Sequence, residues 1–300
     1  MKNLFYLLLS AVILSTNCSA SESEGTANKT TLPALDGKSI RIVSHNLLFE
    51  YTMPQQENRR WSNRVKEVKR LYSACNFDII GTQEALGFQV NQLLESGEFA
   101  KIGINQMGKE EGLKDENEAI FYRKSRFEVL ESGNFWYSKT PDVPASWSWD
   151  ADHTRMCTWG KFKEKSTGVI FYVFNSHFHY NAVQSRNESA KMLLERVRSV
   201  AANYPVFCTG DLNATVDTEA IQTLVNSGVV FDSRERAAVV NGPTGSYHGF
   251  NLSIKPTSRI DHVLVTDDIT VDHYCIIDEE LTTGHFLSDH LPVVVDVTFK

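Results

Sequence analysis

Residues 205–213 read PVFCTGDLN. A short apolar run bounded by Gly210 reads as a buried strand rather than a helix. Gly210 lets the chain turn tightly. Asp211 and Asn213 then emerge at the strand end, one able to accept a proton from a water and the other to donate to an oxyanion. The same design recurs outward along the chain. SIRIVSHN (39–46) alternates apolar and polar residues and ends at Asn46. FDIIGTQ (77–83) runs into Glu84, and the strand 168–177 ends at His177. Asp261 lies in SRIDHVLV, and Asp289 and His290 introduce LPVVV. Polar residues at several strand ends can converge on one rim of a sheet, a common place for a site.

Further strands are expected at 119–123, 127–132, 157–163, 260–266, 269–277 and 291–299. Residues 58–75 have a helical stripe of Trp61, Val65, Val68, Tyr72 and Cys75, with Arg59, Arg60, Arg64, Lys66 and Lys69 on the other faces. Helices are also expected at 87–96 and 183–202. Many strands adjacent in sequence, with about four helices, suit an α+β layered sandwich better than strict βαβ alternation. No short repeat or internal linker follows Gly37, so 38–300 reads as one domain.

The 300 residues are 42% hydrophobic and 22% charged, with a net charge of -7. This excludes a disordered, collagen-like or multi-span membrane chain. It also argues against tight duplex DNA binding, which draws on many Lys and Arg contacts to phosphates. MKNLFYLLLSAVILS places Lys2 before an apolar run too short to span a membrane, as in a secretory signal. Cleavage after Ala20 fits a small-residue site. STNC also resembles a loose bacterial lipobox, which would make Cys18 a lipidated N-terminus and a membrane tether. A retained N-terminal anchor is the third reading. Residues 21–37 read as a flexible tether. The expected location is therefore outside the cytoplasm: periplasmic, attached to the outer membrane as a lipoprotein, or secreted. Cys75, Cys157, Cys208 and Cys275 have no C-x-x-C spacing and read as buried thiols, with one disulfide as the alternative.

Singly, the strand-end residues have plainer explanations. Asp and Asn after strands form turns and caps, and a His there is commonly structural. Jointly, carboxylate and amide oxygens without a cysteine cluster suit a hard cation such as Mg²⁺ or Mn²⁺. Paired His and Asp suit charge stabilisation and proton transfer on a phosphoryl group.

The ordered set SHN…GTQE…NSH…GDLN…RIDHVLV…SDHLPV resembles the endonuclease/exonuclease/phosphatase superfamily, which includes deoxyribonuclease I, apurinic endonucleases, neutral sphingomyelinases and inositol polyphosphate 5-phosphatases. NRRWSNRVKEV, QEAL, AIFYRK, TRMCTWGKF and FYVFNSHF resemble its exported Bacteroidetes-type members more narrowly. The resemblance implies a four-layer αββα sandwich of two mainly antiparallel sheets. It implies hydrolysis of a phosphate ester by direct attack of water, with no covalent enzyme intermediate. Carried over, Glu84 binds the metal with Asn46 beside it and Asp289 on the metal side. Asp211 activates the water, and Asn213 holds it or a phosphate oxygen. His290, oriented by Asp261, and His177, partnered by Glu116, face the phosphate as charged donors. Arg155 enters the site from a strand. Two departures stand out: HFHY with His179 where the narrower group has H-F-D-H, and His45 in S-H-N where S-Y-N is common. His45 is expected on the opposite strand face, in a structural role.

The expected substrate is small or single-stranded, and the expected state is a monomer. The loop 134–153 carries Trp136, Trp147 and Trp149, and with Tyr247, His248 and Phe250 it could form an aromatic rim or a self-packed cover. Asp142, Asp150 and Asp152 against Lys139 would repel a second strand. Arg123, Lys124 and Arg126 are the one candidate basic patch near it. A nuclease is the enzymatic alternative, and a catalytically idle surface-binding protein on the same scaffold is the second.

Overall fold

The computed structural model describes residues 32–35, 37–50, 59–110, 112–251, 255–278 and 287–300. The expected leader, Cys18 and most of the tether lie outside them. The tether ends sooner than expected: Leu32 is buried in the core, and the Pro33 carbonyl accepts a bond from Arg41 Nη2 at 2.8 Å.

Two sheets carry the chain. The first has seven strands in the order β12 (Val239–Asn241), β14 (Ile269–Ile276), β15 (Val293–Phe299), β1 (Ile40–Asn46), β2 (Ile79–Gln83), β6 (Ile120–Arg123) and β4 (Phe99–Ile102). The second has six: β11 (Phe231–Asp232), β13 (Asp261–Val265), β10 (Val206–Asp211), β9 (Ile170–His177), β8 (Met156–Glu164) and β7 (Phe127–Trp136). A small ribbon pairs β3 (Ala85–Leu86) with β5 (Glu116–Asn117). Both main sheets are mainly antiparallel; β1–β2, β9–β10 and β12–β14 are parallel pairs. Helices α1 (Trp61–Ala74) and α2 (Gly87–Leu94) contribute to one outer core, with Trp61, Val68 and Leu93. Helices α3 (Val183–Arg196) and α4 (Glu219–Val225) build the other, with Leu193, Ile221 and Leu224. A short helix, α5 (Ser233–Arg236), follows β11. Helix, sheet, sheet, helix is the expected sandwich.

Strand parity explains the rest. Ile40 and Ile42 of β1, Ile79 of β2, Phe171 and Val173 of β9, Phe207 of β10 and Val263 and Val265 of β13 fill the space between the sheets. Side chains two residues further along each strand face the same way. One step up, that face becomes polar: Asn175 Oδ1 accepts from Gln83 Nε2 at 2.7 Å and from Thr209 Oγ1 at 3.0 Å. Gly81 lies in this layer because the sheets meet there; an added Cβ would fall 2.2 Å from Thr209 Oγ1. At the open end the same face presents Asn46, His177, Asp211 and Asp261. His45, on the opposite face, packs against Tyr72 of α1 as expected, with its Nδ1 3.1 Å from the hydroxyl.

Three expectations change. Asn134 and Trp136 belong to β7, so the loop is shorter, and Trp136 is buried. Arg64 does not lie on a solvated helix face. It is fully buried and donates to the carbonyls of Leu47, Leu48 and Leu287, tying together the segments that follow Asn46 and precede Ser288. Cys157 and Cys208 are buried free thiols and Cys275 is buried, whereas Cys75 is disulfide-bonded.

Candidate functional site

Adjacent strands place His177, Asp211 and Asp261 side by side: Asp211 registers with His177 on one neighbour and with Asp261 on the other. Across the gap, Asn46 Nδ2 donates to Asp211 Oδ2 at 3.0 Å and to Glu84 Oε1 at 2.9 Å. Asn46 thereby couples the two sheets through their carboxylates. Its Oδ1 accepts from the Leu48 amide at 2.9 Å, with a second lone pair left over. Asp211 Oδ1 accepts from the Asn213 amide at 2.9 Å, and Asn213 Nδ2 donates to the Phe178 carbonyl at 3.0 Å.

His290 Nε2 lies 3.7 Å from Asp211 Oδ2, and its Nδ1 is 2.8 Å from Asp261 Oδ2. Burial disfavours charge on this ring, but Asp261 and Asp211 outweigh it and hold the imidazole well above its ordinary value. Asp261 is itself fixed by Ser246, whose Oγ donates to Oδ2 at 2.6 Å and accepts from the Asp261 amide at 3.1 Å.

His177 Nε2 lies 3.6 Å from the same Asp211 oxygen. Its far nitrogen differs: Arg155 Nη1 is 2.9 Å from Nδ1. A guanidinium can only donate, so Nδ1 accepts from Arg155, while Asn213 Nδ2, also a donor, is 3.2 Å from Nε2. Burial and the Arg155 charge push His177 well below its ordinary value. Against the expectation of two charged histidines, the surroundings favour charge on His290 and disfavour it on His177.

The carboxylate nearest the far nitrogen of His177, Nδ1, is also corrected. Glu118 Oε1 is 3.8 Å from Nδ1 and fully buried. Burial, and secondarily the Glu116 charge, push its carboxyl up to about 8. Glu116 is 3.4 Å from Arg155 Nη1 and within 4.8 Å of Glu118 and His177, and both carboxylates accept from Gln106 Nε2. Parity carried a signal for this: Glu118 precedes the inward-facing Ile120 by two residues.

Glu84 has a left-handed backbone, with φ 63°. Burial pushes its carboxyl up to about 7, helped by the charges on Glu116 and Asp289. A carboxylate crowded by like charges, with an amide as its neighbour, is the donor set of a hard cation. Glu84, His177 and Asp211 bring ligand atoms within 4.8 Å of one another, and Asp211, Asp261 and His290 do the same. The residues present thus fit a divalent metal. Asp289 is half-buried on the Glu84 side, with its carbonyl accepting from the His248 and Gly249 amides.

The tyrosine of the expected rim is in place. Tyr247 is 41% exposed and its ring centroid is 4.9 Å from that of His290. Trp147 is 55% exposed on the loop. The loop aspartates are largely committed elsewhere: Asp150 accepts from the Gln184 and Ser185 amides at the start of α3, and Asp142 pairs with Arg196. Arg123 and Arg126 sit at the opposite end of the sheets, paired with Glu98, Asp78 and Glu164.

This site can be set beside known proteins. The sequence profile of the endonuclease/exonuclease/phosphatase family matches residues 43–290. The chain belongs to this family. Its members are hydrolases of phosphate esters that depend on a divalent metal. A family structure from Bacteroides thetaiotaomicron is 32% identical, with a TM-score of 0.82, covering 87% of this chain and 98% of that one. A mannosyl-6-phosphatase of the same organism is 32% identical, with a TM-score of 0.81, covering 87% of this chain and 100% of that one. An uncharacterised protein of Acanthamoeba polyphaga mimivirus is 25% identical over 274 residues, 85% of this chain and 99% of that protein.

Proposed function

We propose that the chain is a metal-dependent phosphohydrolase acting outside the cytoplasm on a small phosphate ester carried by a sugar-like ring. The observation that carries this reading is Asp211 held between two imidazoles, at 3.7 and 3.6 Å, whose proton affinities are pushed in opposite directions. The full-length likeness to a mannosyl-6-phosphatase supports the substrate class.

Asp211 is suited to a base. Burial, against the opposing pull of His290, sets its carboxyl at about 6, so it is ionised at neutral pH yet able to take a proton. It orients a water for in-line attack on phosphorus and accepts its proton as the P–O(water) bond forms and the P–O(ester) bond breaks. His290 donates a charged hydrogen bond to a phosphate oxygen, and the pair of His177 and Asn213, 3.2 Å apart, faces another. Asn46 holds Glu84 and Asp211 at a fixed separation. Glu84 would hold Mg²⁺ or Mn²⁺, with Asp289 beside it. When bound, that ion neutralises charge developing on the phosphate oxygens.

The test is a panel of sugar phosphates, inositol phosphates, sphingomyelin and nucleic acids, with and without Mg²⁺ or Mn²⁺ and with Asp211→Asn as control. Metal-dependent release of phosphate from a sugar phosphate is expected. Catalytic nicking of plasmid DNA, lost steeply on adding salt, would move the protein to the nuclease class. Turnover of no ester would favour a non-catalytic binder. Export is tested by fractionation, and lipidation by fatty-acid labelling that depends on Cys18.

A further inference from the structure

The family departure at His179 has a structural counterpart. His179 follows the end of β9, and its side chain is fully buried against the loop that precedes β8. There its Nε2 is 2.9 Å from Asp152 Oδ1, and His153 Nδ1 is 2.5 Å from the same oxygen. The two imidazole centroids are 4.0 Å apart. Ligand-capable atoms of all three residues lie within 4.8 Å of one another.

Hydrogen bonding accounts for only part of this cluster: Asp152 Oδ1 can accept from both rings and the Asp152 amide is 3.5 Å from His179 Nε2, but His179 Nδ1 is buried with no hydrogen-bond partner. Two rings this close disfavour charge on both. A neutral imidazole is the form that ligates a metal. The cluster is also accessible: the side chains of Asp152 and His153 are 67% and 38% exposed. That leaves an entry path and room for a water as a fourth ligand. Arg155 is the nearby cationic group that opposes a metal, and Asp150 is engaged at the start of α3.

We infer that Asp152, His153 and His179 form a second metal site, separate from Glu84, for a borderline-soft divalent cation such as Zn²⁺. Two imidazoles and one carboxylate are a zinc donor set, whereas the oxygen-rich surroundings of Glu84 suit a harder ion. The site joins two segments: the loop before β8 and the end of β9, two residues beyond His177. Occupancy would pin that loop beside the phosphate-facing ring, and His153 and His179 already act electrostatically on His177.

The test uses the full-length protein, stripped of metal, titrated with Zn²⁺ alone by calorimetry and with Co²⁺ alone by visible absorption. A Zn²⁺ equivalent should bind to the wild type and to Glu84→Gln alike, and persist in excess Mg²⁺. His153→Ala and Asp152→Asn should each weaken it about 10-fold or more and bleach the Co²⁺ bands. Both residues are at the surface, and metal-free melting temperatures will verify that each variant is folded. Zn²⁺ affinity unchanged in both variants, lost in Glu84→Gln, or competed by equal Mg²⁺ would overturn the assignment.

Discussion

His290 and His177 flank Asp211 at nearly the same distance, 3.7 and 3.6 Å, yet their proton affinities are pushed in opposite directions. Both are buried and both face the same carboxylate. The difference lies at the far nitrogen: Asp261 on His290 and Arg155 on His177. An imidazole's charge thus depends on burial and on the group behind it as well as on the carboxylate it faces. One site thereby obtains two imidazoles of different proton affinity from the same residue type.

The largest test of this pair removes the group they share. Asp211→Asn should lower kcat by about 10²–10⁴-fold, with the fold retained in thermal melts. A collapsed protein would make Asp211 structural instead. Asp261→Asn should make His290 resemble His177. Its pKa should fall toward the ordinary value, and kcat should drop about 10²-fold. That loss should grow between pH 6 and 8, because the variant His290 deprotonates earlier than the wild type; a loss independent of pH would contradict the assignment. Arg155→Met should act in the other direction on His177, raising its proton affinity in an NMR titration and costing about 10-fold in kcat. An unmoved His177 would leave burial as the whole cause.

The smallest effect concerns the metal side. In the unfolded chain, Glu84 and Asp211 titrate near their ordinary values, about 4. Folded, they keep their protons up to about 7 and about 6. The folded state therefore binds more protons, and stability falls as pH rises from about 4 through 7. A divalent cation favours the ionised carboxylates, so Mg²⁺ should raise the melting temperature more at pH 8 than at pH 5. Equal gains at both would point to binding elsewhere.

Much of this site was legible because strands repeat every two residues. In β1, Ile40 and Ile42 face the inter-sheet core, so Asn46 does too, and His45 faces the helices. Parity cannot register one strand with the next, so it did not foresee the layer of Gln83, Asn175 and Thr209 between core and site. Nor could helical periodicity foresee Arg64. Its carbonyl partners, from Leu47 to Leu287, are brought together by chain segments distant in sequence.

The amino-acid sequence by itself determined the order of strands and helices and which polar residues crown them. Those follow from local periodicity, which acts over a few neighbours, whereas Gly210, expected at a turn, lies inside β10 where an added Cβ would fall 2.3 Å from the Ser176 carbonyl oxygen. Tertiary structure alone decided the electrostatics. Only packing sets Arg155 rather than a carboxylate as the closest partner of His177 Nδ1, makes Glu118 the acid nearest that nitrogen, and brings Ser246 under Asp261. A pKa depends on burial and on charges a few ångströms away in space, and those distances exist only once the two sheets have closed.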